Sequence, residues 1–136
     1  MNAAVHIRPE RADHPQVVAL LDALDRYLGA LYEPEANHIL SVDALLAPDV
    51  SFFAAWQGGR VVGTGALRRM PGEPGTGGMA YGEIKRMYVD PALRDPVGSE
   101  AENRNNLMCR AVSAIKKAVP EIGLITDAAL DPYTSH

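Results

Sequence analysis

Between Tyr81 and Arg94 the chain runs Tyr-Gly-Glu-Ile-Lys-Arg-Met-Tyr-Val-Asp-Pro-Ala-Leu-Arg. This short span holds a carboxylate at Glu83, cations at Lys85 and Arg86, and a further guanidinium at Arg94. A strand carboxylate can accept a proton, directly or through a water, or it can be neutralised by a neighbouring cation; position alone favours Glu83 paired with Lys85 or Arg86. A guanidinium such as that of Arg94 meets phosphate oxygens well. Just beyond it, in Asp95-Pro96-Val97-Gly98-Ser99-Glu100, Gly98-Ser99 can form a small nest of backbone N–H groups. Asp95 and Glu100, however, set negative charge against any anion bound there.

Other reactive side chains carry two readings each. Asn37 and His38 lie where the first two predicted helices meet, and His38 there can serve a ligand or simply flank a helix as a hydrogen-bond donor. Glu33 and Glu35 can draw a cationic amine or belong to a solvated loop. Asp127, Asp131 and His136 offer oxygen and nitrogen ligands to a hard cation, although a frayed tail is the simpler reading, and no metal site is expected. Cys109, the single cysteine, is expected to pack in a helix as a small apolar residue. Lys116 and Lys117 fall on the polar face of the same helix, where solvent exposure is the ordinary expectation.

The bulk properties narrow the partners. With 136 residues, 47% of them hydrophobic, a single domain can bury a core of useful size. A net charge of -4 argues against general nucleic-acid or anionic-membrane binding, which needs a basic face, and favours small molecules or cationic amines. One cysteine excludes a disulfide framework and suits a reducing compartment. No apolar run reaches membrane-spanning length, and the first residues lack a secretory pattern, so cytoplasmic residence is expected.

These groups need elements to hold them. Val5 and Ile7 alternate with His6 and Arg8 as in a strand, and Asp13 with Gln16 suggests a capping box that starts a helix at Pro15. Val17, Leu20, Leu21, Leu24, Leu28 and Leu31 recur at helical spacing over residues 15–32, and Pro34 marks the end. A short helix over 41–46 follows, then a hairpin of 51–57 and 60–69 around Gly58-Gly59. The Gly- and Pro-rich loop 71–78 is expected to be mobile. Residues 83–89 read as a strand, with Glu83, Lys85, Met87 and Val89 on one face and Ile84, Arg86 and Tyr88 on the other. Met108, Ala111, Val112, Ile115, Ala118 and Val119 predict a helix capped by Asn103 or Asn105, and 124–129 a last strand. The expected fold is α/β (α+β): a mixed, mainly antiparallel sheet flanked by helices and truncated after the fifth strand, with an open edge that invites pairing into a homodimer.

The run from Tyr81 to Arg94 resembles the central strand and exit of a GNAT-superfamily N-acetyltransferase, and the likeness extends over residues 1–94. The resemblance implies acetyl-CoA as co-substrate and the amine of a small molecule or peptide as acceptor. It implies that backbone N–H groups of Met87 and Val89, with Tyr88 between them, receive the thioester and pantetheine, and that Glu83 is the base. It further places Arg94 at the start of the pyrophosphate turn and Asn37 and His38 on the acceptor side. The glycine-rich turn that follows in that family is missing. Instead, residues 90–136, including Asp131-Pro132-Tyr133-Thr134-Ser135-His136, are similar to an internal helix-strand segment of porphobilinogen synthase (delta-aminolevulinate dehydratase), a TIM-barrel family whose Schiff-base lysines lie in parts not represented here. The pattern is that of a chimera with residues 95–136 in the slot of the acetyltransferase's next helix and strand. Two functions stay open: an acetyltransferase, or a folded chimera without enzyme activity.

Overall fold

The computed structural model describes residues 4–31, 33 and 40–124. In chain order the elements are β1 (Val5–Pro9), α1 (Pro15–Leu31), α2 (Val42–Leu45), β2 (Val50–Gln57), β3 (Arg60–Met70), β4 (Tyr81–Val89), α3 (Leu107–Ala118) and β5 (Gly123–Leu124). The strands lie side by side in sequence order, and β1 to β4 pair antiparallel. β5 joins parallel to β4 at Tyr81↔Gly123 and Gly82↔Leu124, so α3 is the crossover that parallel neighbours require. The expected mixed, mainly antiparallel sheet is therefore the one that forms.

The β2–β3 turn follows directly from its residues. Gly58 and Gly59 have φ of 57° and 79°, the paired left-handed geometry whose twist suits a two-residue hairpin. Adjacent residues of β2 and β3 then divide between two cores. Phe52 and Ala66 pack with Val17, Leu21 and Leu45 under α1 and α2, whereas Phe53 and Leu67 pack with Ile115, Val119 and Ile122 under α3. Each fully buried leucine or isoleucine contributes roughly 1.5–3 kcal/mol through area removed from water. Gly82 is required where β4 passes this second core, since a Cβ there would lie 2.4 Å from Leu67 Cδ1 and 3.0 Å from Ile122 Cγ2.

Several local expectations are corrected. Asp13 is ion-paired with Arg11 at 3.0 Å rather than capping α1. The cap is His14, whose Nδ1 accepts from the Gln16 N–H at 3.1 Å and whose carbonyl accepts from Val18 at 2.9 Å. The Gln16 side chain instead ties the helix to the hairpin, accepting from Val61 N–H at 2.9 Å and donating to Gly59 O at 3.2 Å. Burial fades along α1, and Leu31 is 56% exposed. Helix α3 is capped by Asn106, not Asn103 or Asn105, through a 2.9 Å bond from Cys109 N–H to Asn106 Oδ1. Cys109 lies off the Ile115–Val119 stripe of this helix and is exposed to solvent instead of packed in the core. Lys116 and Lys117 are exposed as expected, and Lys116 Nζ also donates to the carbonyls of Pro120 and Ile122 at 2.9 and 2.6 Å, tying the end of α3 to the lead-in of β5.

Candidate functional site

The site is organised by a break in the β3–β4 ladder. Ala66 faces Lys85 and Thr64 faces Tyr88, so Gly65 alone opposes both Arg86 and Met87. This is a bulge, which bends its strand and increases the local twist. Arg86 takes φ of 56° to make it, a left-handed conformation unfavourable for any residue with a Cβ. Thr64 Oγ1 donates to the Arg86 carbonyl at 2.9 Å, and the Arg86 guanidinium, buried with 4% of its side chain exposed, pairs with Asp25 of α1. Its Nε has no partner among the described residues, a cost of about 1–3 kcal/mol. The expected alternation of β4 therefore holds only up to Lys85. Ile84 joins the α3-side core, but the bulge sends Arg86 to the α1 side, not to the face of Ile84.

Beyond the bulge β4 leans away from simple pairing. Asp90 N–H donates to Val62 O at 2.8 Å, which makes the adjacent Gly63↔Val89 pair the non-hydrogen-bonded kind. The N–H and C=O of Val89 thus point away from β3. Arg94 folds back to that carbonyl through Nε at 3.0 Å, with its guanidinium 4.9 Å from the centre of the Tyr88 ring. A small apolar cleft borders the strand, lined by Gly63, Gly65, Met87 and Val89 and by Leu107 and Met108 of α3. A Cβ at Gly65 would come within 2.5 Å of Met87 Sδ, so the glycine lets the Met87 side chain lie against β3 here.

The turn after Arg94 does form a nest, and the chain fills it itself. Asp95 Oδ1 accepts from Val97 N–H at 3.1 Å and from Ser99 N–H at 3.0 Å, and Oδ2 accepts from the Ser99 hydroxyl. Gly98 supplies the turn with φ of 64°. The Ser99 hydroxyl first, and then the backbone N–H groups, hold the Asp95 carboxyl below its ordinary pKa. Donors that a phosphate would need are directed at a fixed carboxylate.

Residues 17–95 match the model of the acetyltransferase (GNAT) family, more than half of the 136-residue chain. The chain belongs to that family. Residues 80–136 match the model of delta-aminolevulinic acid dehydratase, and α3 and β5 lie within that dehydratase-like segment. The chain is 47% identical over 78 residues to an IAA acetyltransferase of Azospirillum brasilense, covering 57% of this chain and 47% of that protein. It is 67% identical over 49 residues to the delta-aminolevulinic acid dehydratase of Bradyrhizobium diazoefficiens, covering 36% of this chain and 14% of that enzyme. It therefore spans less than half the length of either relative. Among solved structures, a predicted acetyltransferase with acetyl-CoA from Clostridium acetobutylicum superimposes with a TM-score of 0.56 at 16% identity, over 91% of this chain and 82% of that one; at such identity the likeness concerns the fold.

Within this GNAT frame, the structure gathers some of the expected residues and separates others. Met87, Tyr88, Val89 and Arg94 lie together around the bulge and the cleft. Glu83 faces the α1 side, opposite Ile84, and its carboxylate is ion-paired with Lys85, as position alone suggests. Helix α1 runs from Gln16 beside the hairpin to Asp25 beside Arg86; at about 1.5 Å per helical residue and 3.3 Å per strand residue, its last turn comes level with Glu83. Asn37 and His38 lie outside the described residues, as do Glu35, Asp127, Asp131 and His136. Among the described residues, no cluster of potential metal ligands occurs and no helix is long and apolar enough to cross a membrane. Sequence reasoning missed Asp25, Thr64 and Gly65. The available signal was the pair Gly63 and Gly65 inside a strand, which marks a bulge or a close approach.

Proposed function

We propose that the chain is a GNAT-type N-acetyltransferase that transfers the acetyl group of acetyl-CoA to the amine of a small molecule or peptide. The observation that carries this reading is the β4 bulge at Arg86–Met87, with the edge of Val89 turned out beside a small apolar cleft. That region suits the thioester and pantetheine end of the co-substrate. The pyrophosphate end fits poorly, because Asp95 occupies the nest where its oxygens would bind.

Acetyl-CoA supplies an activated acyl carbon on a thiolate leaving group. The chain's contribution is position and proton transfer. N–H groups of Met87 and Val89 hold the thioester oxygen as charge develops on it, and Tyr88 and Arg94 close that end of the strand. Glu83, on the opposite face and level with the end of α1, takes the proton of the attacking amine directly or through a water. Asn37 and His38, in the connection between α1 and α2, form part of the acceptor side in this reading. The test is thiol release from acetyl-CoA across a panel of primary amines. Turnover that Glu83→Gln abolishes without changing acetyl-CoA binding supports the assignment; no binding at millimolar concentration ends it.

The self-occupied nest favours a second reading, a folded chimera without enzyme activity. A cooperative melt unaffected by coenzyme A would support it.

A further inference from the structure

We propose that Asp25, Thr64 and Arg86 form a clamp that fixes the β4 bulge and thereby positions the strand edge used in acetyl transfer, so that α1 controls the geometry of the co-substrate side. The proposal rests on the acetyltransferase reading and adds positioning residues to it. Arg86 is the one non-glycine residue of positive φ among the described residues, and such a conformation persists only where its surroundings over-determine it. Glycine would adopt it freely. An arginine there implies that the side chain contributes something glycine lacks, and its buried guanidinium meets Asp25 of α1.

Two features of β3 complete the clamp. Thr64 is 6% exposed in a strand where valine would fill the same space, and its hydroxyl donates to the Arg86 carbonyl at 2.9 Å, fixing the peptide that leads into Met87. Gly65 leaves room for the Met87 side chain displaced by the bulge, which a Cβ would meet at 2.5 Å. The bulged peptide is thus held from β3 by a hydroxyl and from α1 by an ion pair. A shift of α1 on the acceptor side would be felt at Val89, three residues beyond Arg86.

The test compares amide hydrogen exchange and acetyl-CoA titration in the full chain for Thr64→Val, Asp25→Asn and the conservative Thr64→Ser. Thr64→Val should speed exchange at Tyr88 and Asp90 by about tenfold, the scale of one lost buried hydrogen bond, with Arg8 and Ala54, which pair with each other in the β1–β2 ladder, unchanged. Acetyl-CoA affinity should fall by a similar factor, and Thr64→Ser should restore both. Asp25→Asn supplies an independent variant should Thr64→Val fail to fold, and should show the same local pattern. Wild-type exchange at Tyr88 and Asp90 in both variants, or a uniform loss of protection across the sheet, would overturn the clamp. Absence of acetyl-CoA binding in the wild type would overturn the acetyltransferase reading instead, while the exchange readout still decides whether the clamp exists.

Discussion

The end of β4 and the turn that follows it lie within a few residues of each other and treat their backbone polar groups in opposite ways. At Arg86–Val89 the ladder is broken so that backbone groups turn outward, held by Thr64 and Asp25 from neighbouring elements. At Asp95–Ser99 the backbone donors turn inward onto the chain's own carboxylate. The first arrangement spends stability to leave an edge available for a ligand. The second satisfies itself locally and leaves little for one. The dehydratase-like α3 and β5 thus complete the sheet of the GNAT-like part, while the turn that precedes them directs its donors at its own side chain.

The largest expected effect tests the strand side. Glu83→Gln should reduce kcat by about 100-fold or more, the usual contribution of a positioned general base, with acetyl-CoA affinity unchanged. Steady-state thiol release and a parallel titration check both parts. An equal loss of affinity would place Glu83 in binding instead.

A smaller effect tests the turn. Asp95→Asn removes the negative charge but keeps an acceptor oxygen, and should tighten acetyl-CoA binding about fivefold at low salt, the worth of one unit charge at near contact in water. The gain should shrink as ionic strength rises. Unchanged affinity would mean that the pyrophosphate lies elsewhere.

The smallest effect sharpens the same point through pH. Because the folded-state pKa of Asp95 lies below its ordinary value, its bonds to Val97 and Ser99 contribute fully above the unfolded pKa of about 3.9 and are lost only as pH falls through the lower folded value. The Val97 and Ser99 amide resonances should thus stay fixed from neutral pH down to about 4 and move only below it. Movement near pH 6 would contradict the occupied nest.

The sequence made the hairpin legible because Gly58-Gly59 admits few alternatives, and the stripe through Val17, Leu21 and Leu24 because one helical face must be buried. It also marked Met87, Tyr88, Val89 and Arg94 as neighbours, since they share one strand and its exit. It hid what depends on distant partners. Gln16 looked like half of a capping box but bonds across to Gly59 and Val61. The bulge in this strand follows from the GNAT resemblance, but the residues that build it escaped notice because it rests on arginine instead of glycine, and only the approach of Asp25 and Thr64 makes that conformation tolerable. Cys109 was misplaced for a simpler reason: its residue type suggested the core, but at roughly 100° per residue it lies about 100° round the helix from the stripe of Ile115 and Val119 and so faces solvent.

The most direct test of the account is a pair of calorimetric titrations of the wild-type chain, one with acetyl-CoA and one with S-acetylpantetheine, which lacks the nucleotide and pyrophosphate. An intact strand edge beside a self-occupied nest predicts that both bind, with dissociation constants within about tenfold, because the pyrophosphate adds little where its donors are already taken. Binding of acetyl-CoA more than about 100-fold tighter than the fragment would show a working pyrophosphate site, and failure of both to bind a folded protein would show that the cleft beside β4 is not a co-substrate site.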